Sequence, residues 1–423
     1  DGSATANGGS AGVGAAVAID VADVTNSARI GSGGNITAQA ITIEALTGGP
    51  EATPEYQLTA LSKSGAGSDK VGVAGAFSLN VVTVDTIVDV PSFATLRTNG
   101  GDLRLRSEAT TRIDAEAMPD GNGANGGTVG VGASVALNVV NTTTATTVDD
   151  GATLNGTAGN VLLEASGAHN IKSVAKNGAG AGASGSGSGV GVGAGVALAI
   201  VDHEKNAYLG TGNALAATGT VTIHAAHASA AETQADADAA GGQVGVGASV
   251  GINILVDNVH AGVARNVGAG GDILVAAEIA AGSTNTVKAS AQGNSSNGRK
   301  ADDEANHQVN DNPNNGGNKS VPKAQDNVNE GNSNSQSQSS SKSADVGVAA
   351  AVGVGYAKVA NLADVAAGVS LSSTGGKVGV IASADVDATV LATGIAFDIS
   401  NTTTSVGVAV GVNVADVHNT ATV

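Results

Sequence analysis

The chain has 423 residues, with 63 Gly, 3 Tyr, 3 Phe and neither Trp nor Cys, and its 19 Lys and Arg against 37 Asp and Glu leave a net charge of −18. That balance opposes binding to nucleic acid or to anionic membranes, which need basic patches, and the lack of cysteine excludes disulfides without placing the compartment. With so few aromatics the interior has to come from Val, Ala, Ile and Leu, small side chains that fill space only where backbones approach closely.

The first predicted element is an alternating strand at Val13–Val21, and its phrase returns six times along the chain. The copies are Val71–Val82, Val129–Val140 (VGVGASVALNVV), Val190–Val201, Val244–Leu255, Val346–Ala357 and Val406–Ala415. One column near the end of each reads Asp20, Asn80, Asn138, Ala199, Asn253, Gly355, Asn413, in steps of 60, 58, 61, 54, 102 and 58 residues. A near-constant step identifies one supersecondary unit copied along the chain, so residues 1–423 form a single continuous repeat array in which each unit contacts its neighbours. Within Val129–Val140 one face carries Val129, Val131, Ala133, Val135, Leu137 and Val139, and the other Gly130, Gly132, Ser134, Ala136, Asn138 and Val140. Period two with β-branched residues predicts a strand of about twelve residues. Glycine weakens a strand unless another backbone comes close, so a second sheet is expected against the Gly/Ala/Ser face.

A polar stretch such as Asn141–Asp150 follows, then a turn glycine with a strand of about six: Gly101–Ala109, Gly159–Ala165, Gly219–Ala225, Gly271–Ala277 and Gly376–Ala382, with Ala40–Ala45 as the counterpart in the first unit. A third, weaker alternation comes next, as at Ile171–Ala175 and Val386–Ala392, and a Gly-rich link returns to the next valine phrase. The surplus in the long step falls in Gly293–Ser343, rich in Asn, Ser, Gln and charge, which is read as a flexible insertion between two strands.

Three strands per unit and no helical period predict an all-β fold, a parallel β-solenoid (β-helix) built from seven repeats of ~58 residues. Each repeat is either one wide coil or two coils of about 29 residues; a stack of antiparallel hairpins is the competing arrangement. In the solenoid, Asp20, Asn80, Asn138, Asn253 and Asn413 form a structural ladder, interrupted at Ala199 and Gly355, or else a solvent-facing column. The chain starts just before one repeat strand and stops just after another, so it is read as a segment of a longer array.

The pairing of Val129–Thr147 (VGVGASVALNVVNTTTATT) with Gly159–Gly167 (GNVLLEASG) resembles repeats of very large bacterial surface proteins, the leukotoxin-like filamentous adhesins and related autotransporter-type giant proteins. The resemblance covers nearly all of the chain except Gly293–Ser343. It implies an extracellular, rod-like β-solenoid stalk at a bacterial cell surface, with flanking repeats or further copies of the array as its partners and a host or cell-surface ligand as its target. It brings no catalytic residues.

The residues themselves carry little chemistry. No P-loop, zinc-protease helix or cysteine pair occurs, so no catalytic residue and no cofactor is predicted and the chain is read as non-enzymatic. His224 and His227, three apart on a strand, point to opposite faces and cannot share a metal. The pairs Asp149-Asp150, Asp236/Asp238, Asp302-Asp303 and Asp385/Asp387 are the candidates for a loosely bound Ca²⁺, with Asp236, Asp238, Asp385 and Asp387 at the same-face spacing i, i+2. Two Gly-Gly-Asp sequences, at Gly100 and Gly270, read as turns. Three alternatives to a stalk remain at this stage: a filament subunit that stacks end to end through unpaired strand edges, a polysaccharide-active β-helix enzyme, and a transmembrane β-barrel. The last two are poorly served by a chain with almost no aromatics.

Overall fold

A computed structural model describes residues 2–47, 55–181, 189–293, 346–397 and 404–423, and these residues contain twenty-one strands and no helix. The chain passes through β1 (Gly2–Gly8), β2 (Ala11–Arg29), β3 (Asn35–Ala38), β4 (Ile41–Leu46) and β5 (Tyr56–Ser68). It continues through β6 (Val71–Val90), β7 (Thr95–Asn99), β8 (Leu103–Gly126), β9 (Val129–Val148), β10 (Thr153–Thr157) and β11 (Val161–Ala181). Then come β12 (Val190–Leu209), β13 (Leu215–Ala217), β14 (Val221–Gly241), β15 (Val244–Val263), β16 (Val267–Ala269) and β17 (Ile273–Gly293). The last are β18 (Val346–Val365), β19 (Leu371–Ser373), β20 (Val378–Phe397) and β21 (Thr404–Thr422).

The strands assemble by parallel pairing into a β-solenoid. One long sheet, the valine sheet, has the order β2-β6-β9-β12-β15-β18-β21; the counter-sheet runs β1-β5-β8-β11-β14-β17-β20, with β4 also on β8. Short strands β3-β7-β10 and β13-β16-β19 close one side, linked by the Ala158–Ala217 bridge. The valine phrases stack in the register of their sequence alignment: Asn80 pairs with Asn138, Asn138 with Ala199, Ala199 with Asn253, and Asn253 with Gly355. Each step of about 58 residues is therefore one wide coil, not two narrow ones. The pairing of β15 with β18 keeps this register across the long interval. The insertion expected at Gly293–Ser343 lies, after Gly293, outside the described residues.

The strands are longer than their sequence pattern suggested. Val129–Val148 is one strand of 20 residues, so the polar stretch expected after the phrase is mostly its continuation, with Thr142, Thr144, Thr146 and Val148 buried in turn. The second and third alternations likewise fuse, as in Val161–Ala181. The third strand of each coil is instead a short one that the pattern did not mark. The reason is that period two persists through Thr and Asn, which pair in a ladder as well as Val does when hydroxyls and amides find partners.

The cross-section is a wedge. Each coil crosses the valine sheet from its thin to its wide end, turns through a short strand, and returns along the counter-sheet. The wide end holds the main core of Val, Leu, Ile and Ala, including Val84, Leu105, Ile113, Leu163, Leu209, Ile223, Leu255 and Ile273. Buried Arg265 fastens the turns there, donating from Nη1 to the Ala152 carbonyl at 2.9 Å and from Nη2 to that of Thr211 at 3.0 Å. At the thin end the side chains between the sheets are small, mostly alanines such as Ala115, Ala136, Ala175, Ala197 and Ala235 with Val287 among them, because the Gly/Ser/Ala face of the phrase meets the counter-sheet nearly backbone to backbone, as its glycines implied. A Cβ on Gly130 would overlap the Gly180 carbonyl oxygen. Gly130→Val is accordingly expected to destabilise by about 3 kcal/mol or more, by overpacking. Gly75, on the outer face with nothing within 4 Å, should accept Ala with unchanged or raised stability. Denaturant midpoints of the two variants check this; equal effects would contradict the close approach.

The column Asp20, Asn80, Asn138, Asn253, Asn413 lies on the inward face of the valine sheet, and Asn80, Asn138 and Asn253 are fully buried. Only one side-chain rung forms directly, from Asn80 Nδ2 to Asn138 Oδ1 at 2.8 Å. The other amides reach across instead: Asn138 Nδ2 donates to the Lys172 carbonyl at 2.7 Å, Asn253 to that of Ala231 at 2.7 Å, and Asn413 to that of Ala388 at 2.8 Å. The column thus ties the two sheets together where the wedge begins to open.

Candidate functional site

Just wide of the asparagine column, the core contains a group of polar side chains drawn from six strands. In the valine sheet, β9 supplies Thr142, β12 His203 and Lys205, and β15 Asp257; in the counter-sheet, β8 supplies Thr111, β11 His169, and β14 His227 and Ser229. Register brings them together. Thr142, His203 and Asp257 occupy one column on adjacent coils, and Thr111, His169 and Ser229 another opposite it. His203, Lys205 and Asp257 have no exposed surface, and His169 and His227 almost none.

The groups bond as two linked sets. Asp257 accepts from Ser229 Oγ at 2.6 Å and from His227 Nε2 at 3.1 Å, which places the His227 proton on Nε2. Thr142 Oγ1 lies 2.7 Å from His203 Nδ1 and 3.3 Å from His169 Nε2, and it accepts from Lys205 Nζ at 3.2 Å. Lys205 donates also to the Glu204 carbonyl at 3.2 Å, and His169 Nδ1 bonds Thr111 Oγ1 at 2.8 Å. The three imidazoles touch, with His169 and His203 stacked at 4.5 Å and His203 edge-on to His227 at 4.9 Å. His203 Nε2 and His227 Nδ1 have no partner.

Burial sets the electrostatics. It holds His169 and His203 well below the usual histidine range, with repulsion from Lys205 adding to it, and it lowers His227 against the pull of Asp257. The same desolvation brings Lys205 down to about 7, opposed by the Asp257 and Glu204 carboxylates. A cluster of neutral imidazoles around one lysine and one carboxylate is the arrangement that keeps net charge in the core near zero.

His203, His227 and Asp257 are the residues that could hold a metal, each offering a ligand atom within 4.8 Å of the others. Zinc with ~2.0–2.1 Å bonds needs neighbouring ligands roughly 3.4 Å apart, so the set would have to contract. Both Asp257 oxygens already accept hydrogen bonds, and the Lys205 ammonium supplies the positive charge nearby. The geometry fits a self-contained ion and hydrogen-bond network better than a metal centre.

Above this cluster the outer face of the counter-sheet carries a shallow groove of about 410 Å³, floored by Ala168, Ala228 and Ala280 and edged by Glu55, Asp385 and Asp387. His169, Thr111 and Ser229 border it only from beneath the sheet, since they are buried. Among the described residues, no histidine, lysine or serine of the cluster faces the groove with its side chain free.

The calcium candidates fall apart from the cluster. Asp385 and Asp387 are exposed on one face of β20, and Asp236 and Asp238 share one face of β14, as their spacing implied. Asp236 stands in register between Lys176 and Lys288 and accepts from Gln234 Nε2 at 2.8 Å, while Asp238 accepts from Ser290. Desolvation pushes the Asp236 carboxyl up to about 6 despite Lys288. Lysines thus flank the site a cation would take. Asp150 accepts from the Thr211 amide at 2.7 Å in a turn, and Asp302-Asp303 lies outside the described residues. His224 faces outward beside Glu164, with Arg106 Nε 2.8 Å from the same carboxylate, while His227 faces the core. The two histidines are on opposite faces, as expected. The Gly-Gly-Asp segments are turns, Gly100 at φ +91°.

The sequence reading missed the core cluster. A signal was present: aligned by the repeat, the column Val84, Thr142, His203, Asp257, Val359 shows two charged or titratable residues in a position otherwise held by Val and Thr. No family model, no curated protein and no solved structure matches this chain.

Proposed function

We propose that the chain is a structural, non-enzymatic stretch of an extracellular bacterial filament or surface stalk, whose work is mechanical. The observation that carries this reading is the unbroken parallel register of the valine sheet from β2 to β21. Each coil is bonded along 20-residue strands to the next, as in β9 on β12, so a load along the coil axis is shared by many backbone hydrogen bonds at once. Sealing the titratable groups inside, away from the groove, supports the absence of catalysis. The acidic surface favours solubility. The resemblance to giant surface proteins supports an extracellular setting.

Pulling single molecules by their ends tests it. The stalk reading expects coils to peel off one at a time, each releasing about 58 residues, or roughly 200 Å of chain at ~3.5 Å per residue. Collapse of the whole chain in one step at low force would end that reading. A second reading, a subunit that stacks end to end, is favoured by the edge strands β2 and β21, each of which pairs on one side only among the described residues. Electron micrographs separate the two: a stalk segment stays short, about 34 Å for seven coils at ~4.8 Å, and a stacking subunit grows into filaments.

A further inference from the structure

The outward half of the valine phrases forms a wall. On β9 the outward residues are Val129, Val131, Ala133, Val135, Leu137 and Val139, and on β12 Val190, Val192, Ala194, Val196, Leu198 and Ile200. The other five strands repeat this, and no charged or amide side chain interrupts it from Val13 on β2 to Val414 on β21. These valines are not core: the glycines behind them hold the counter-sheet too close for a side chain. Within the sheet Val131, Val135, Val192 and Val196 are half-buried and Val139 and Ile200 reach 39%, while Val406 to Val414, on the terminal strand, reach 43–47%. The wall ends along a straight line, where the next outward column reads Asp23, Thr83, Asn141, Asp202, Val256, Lys358, Asp416. Beyond it lie Asp85, Asp89, Glu204 and Asp364.

We infer that this wall is the contact face between two copies of the chain, packed sheet on sheet about a two-fold axis parallel to the coil axis. Area argues for it. Seven strands at ~4.8 Å and eleven residues at ~3.3 Å cover about 1,200 Å², well above the ~300–600 Å² apolar patch of a typical monomer. Two such walls in contact bury about 2,400 Å², more than the ~1,600 Å² of a standard stable interface. Charge selects the axis. Rotation about the coil direction lays wall on wall and throws the acidic halves to opposite sides. Rotation about the strand direction would set the acidic halves against each other. Charge also selects the occupant: the acidic border repels anionic lipid, and Phe77 and Tyr356 are the wall's only aromatics, far short of a membrane-interface belt. This pairing is lateral, so it does not depend on the stalk or end-stacking readings.

Sedimentation of the purified chain, with the triple variant Val135→Asp, Val196→Asp, Val250→Asp in the central wall column, tests the inference. The wild-type chain is expected at twice the mass of one chain, and the variant at half that, with the same circular dichroism because the positions face outward. The chain has no cysteine, so Ala194→Cys can be probed with a two-carbon bis-maleimide. It should cross-link to its copy, whereas Glu204→Cys, about 60 Å from its copy across the axis, should not. A monomeric wild type overturns the inference. So does a triple variant that keeps its mass, which would place association at the strand edges. Cross-linking through Glu204→Cys overturns the axis, and flotation of the wild type with phosphatidylcholine vesicles would assign the wall to a lipid surface.

Discussion

Taking the protein from pH 7 to pH 5 should remove several kcal/mol of its stability. The cause is the trio His169, His203 and His227, which burial keeps from protonating in the folded chain. Unfolded histidines titrate near ~6.5, so below that pH the unfolded chain binds up to three protons that the folded chain refuses. Stability therefore rises with pH in this window and falls on acidification. The slope is about 1.4 kcal/mol per pH unit for each histidine, or about 4 for the three, until the pH reaches their folded values. Above pH ~6.5 the trio contributes no slope. Asp236 works the other way. Its folded value of about 6 lies above the unfolded one, so between roughly 4 and 6 the folded chain binds the extra proton and offsets about one histidine. Lys205, held at about 7, extends the effect to the alkaline side. Between 7 and ~10.5 the unfolded lysine keeps a proton that the folded one has lost, and stability keeps rising. Urea midpoints at pH 5, 6, 7 and 9 measure the curve. Replacing the trio with residues their own columns use, as His169→Thr, His203→Thr and His227→Ile, should flatten the acid limb. A midpoint that holds or climbs between pH 7 and pH 5 would refute the neutral cluster.

Asp257→Val is the single change expected to cost most. Val359 fills the same column one coil further on, so the new side chain fits. The loss is electrostatic: Lys205 keeps only the Glu204 and Asp202 carboxylates to favour its charge, and His227 and Ser229 lose their acceptor. Removing one member of a buried charge pair typically costs about 3–5 kcal/mol. The penalty should be largest on the acid side and shrink above pH 7, because burial already brings Lys205 down to about 7 and loss of Asp257 moves it lower. Adding Lys205→Val, after Val259 in its column, removes the second charge. The double variant should return to within about 1 kcal/mol of wild type or exceed it, as apolar replacements of buried ion pairs often do. A thermodynamic cycle over the four proteins reports the coupling, and a harmless Asp257→Val single variant would mean that the two charges do not sense each other.

Why a solenoid core should retain such a pair follows from stacking. In a pile of near-identical coils, neighbouring columns of Val and Ala on one face are nearly interchangeable, and a slip by two residues or one whole coil meets little resistance. His203 over Asp257, facing His169 and His227, matches at one level only. The Asn80–Asn138 rung does the same two coils earlier.

The spacing of the valine phrases and the alternation inside each were enough to predict the all-β stack and to align Asn80 with Asn138, because a repeated pattern tends to pair with its own image; that the two pair directly, with one wide coil per repeat, was decided by the structure. The glycines at Gly130 and Gly191 were likewise enough to predict a second backbone pressed against them. Alternation names two faces, however, and leaves open which one is inside. Both faces of Val129–Val140 are apolar, so only the closing of the coil, with the counter-sheet on the glycines, turned Val135 and Leu137 outward. Strand ends also escaped the pattern, since threonine carries the period of two as far as Val148 without a change of hydropathy to mark it. The cluster of His169, His203, Lys205, His227 and Asp257 became visible only in three dimensions: its members come from both sheets and three adjacent coils, and what joins them is the width of the wedge at that level, a quantity that no spacing along the chain encodes.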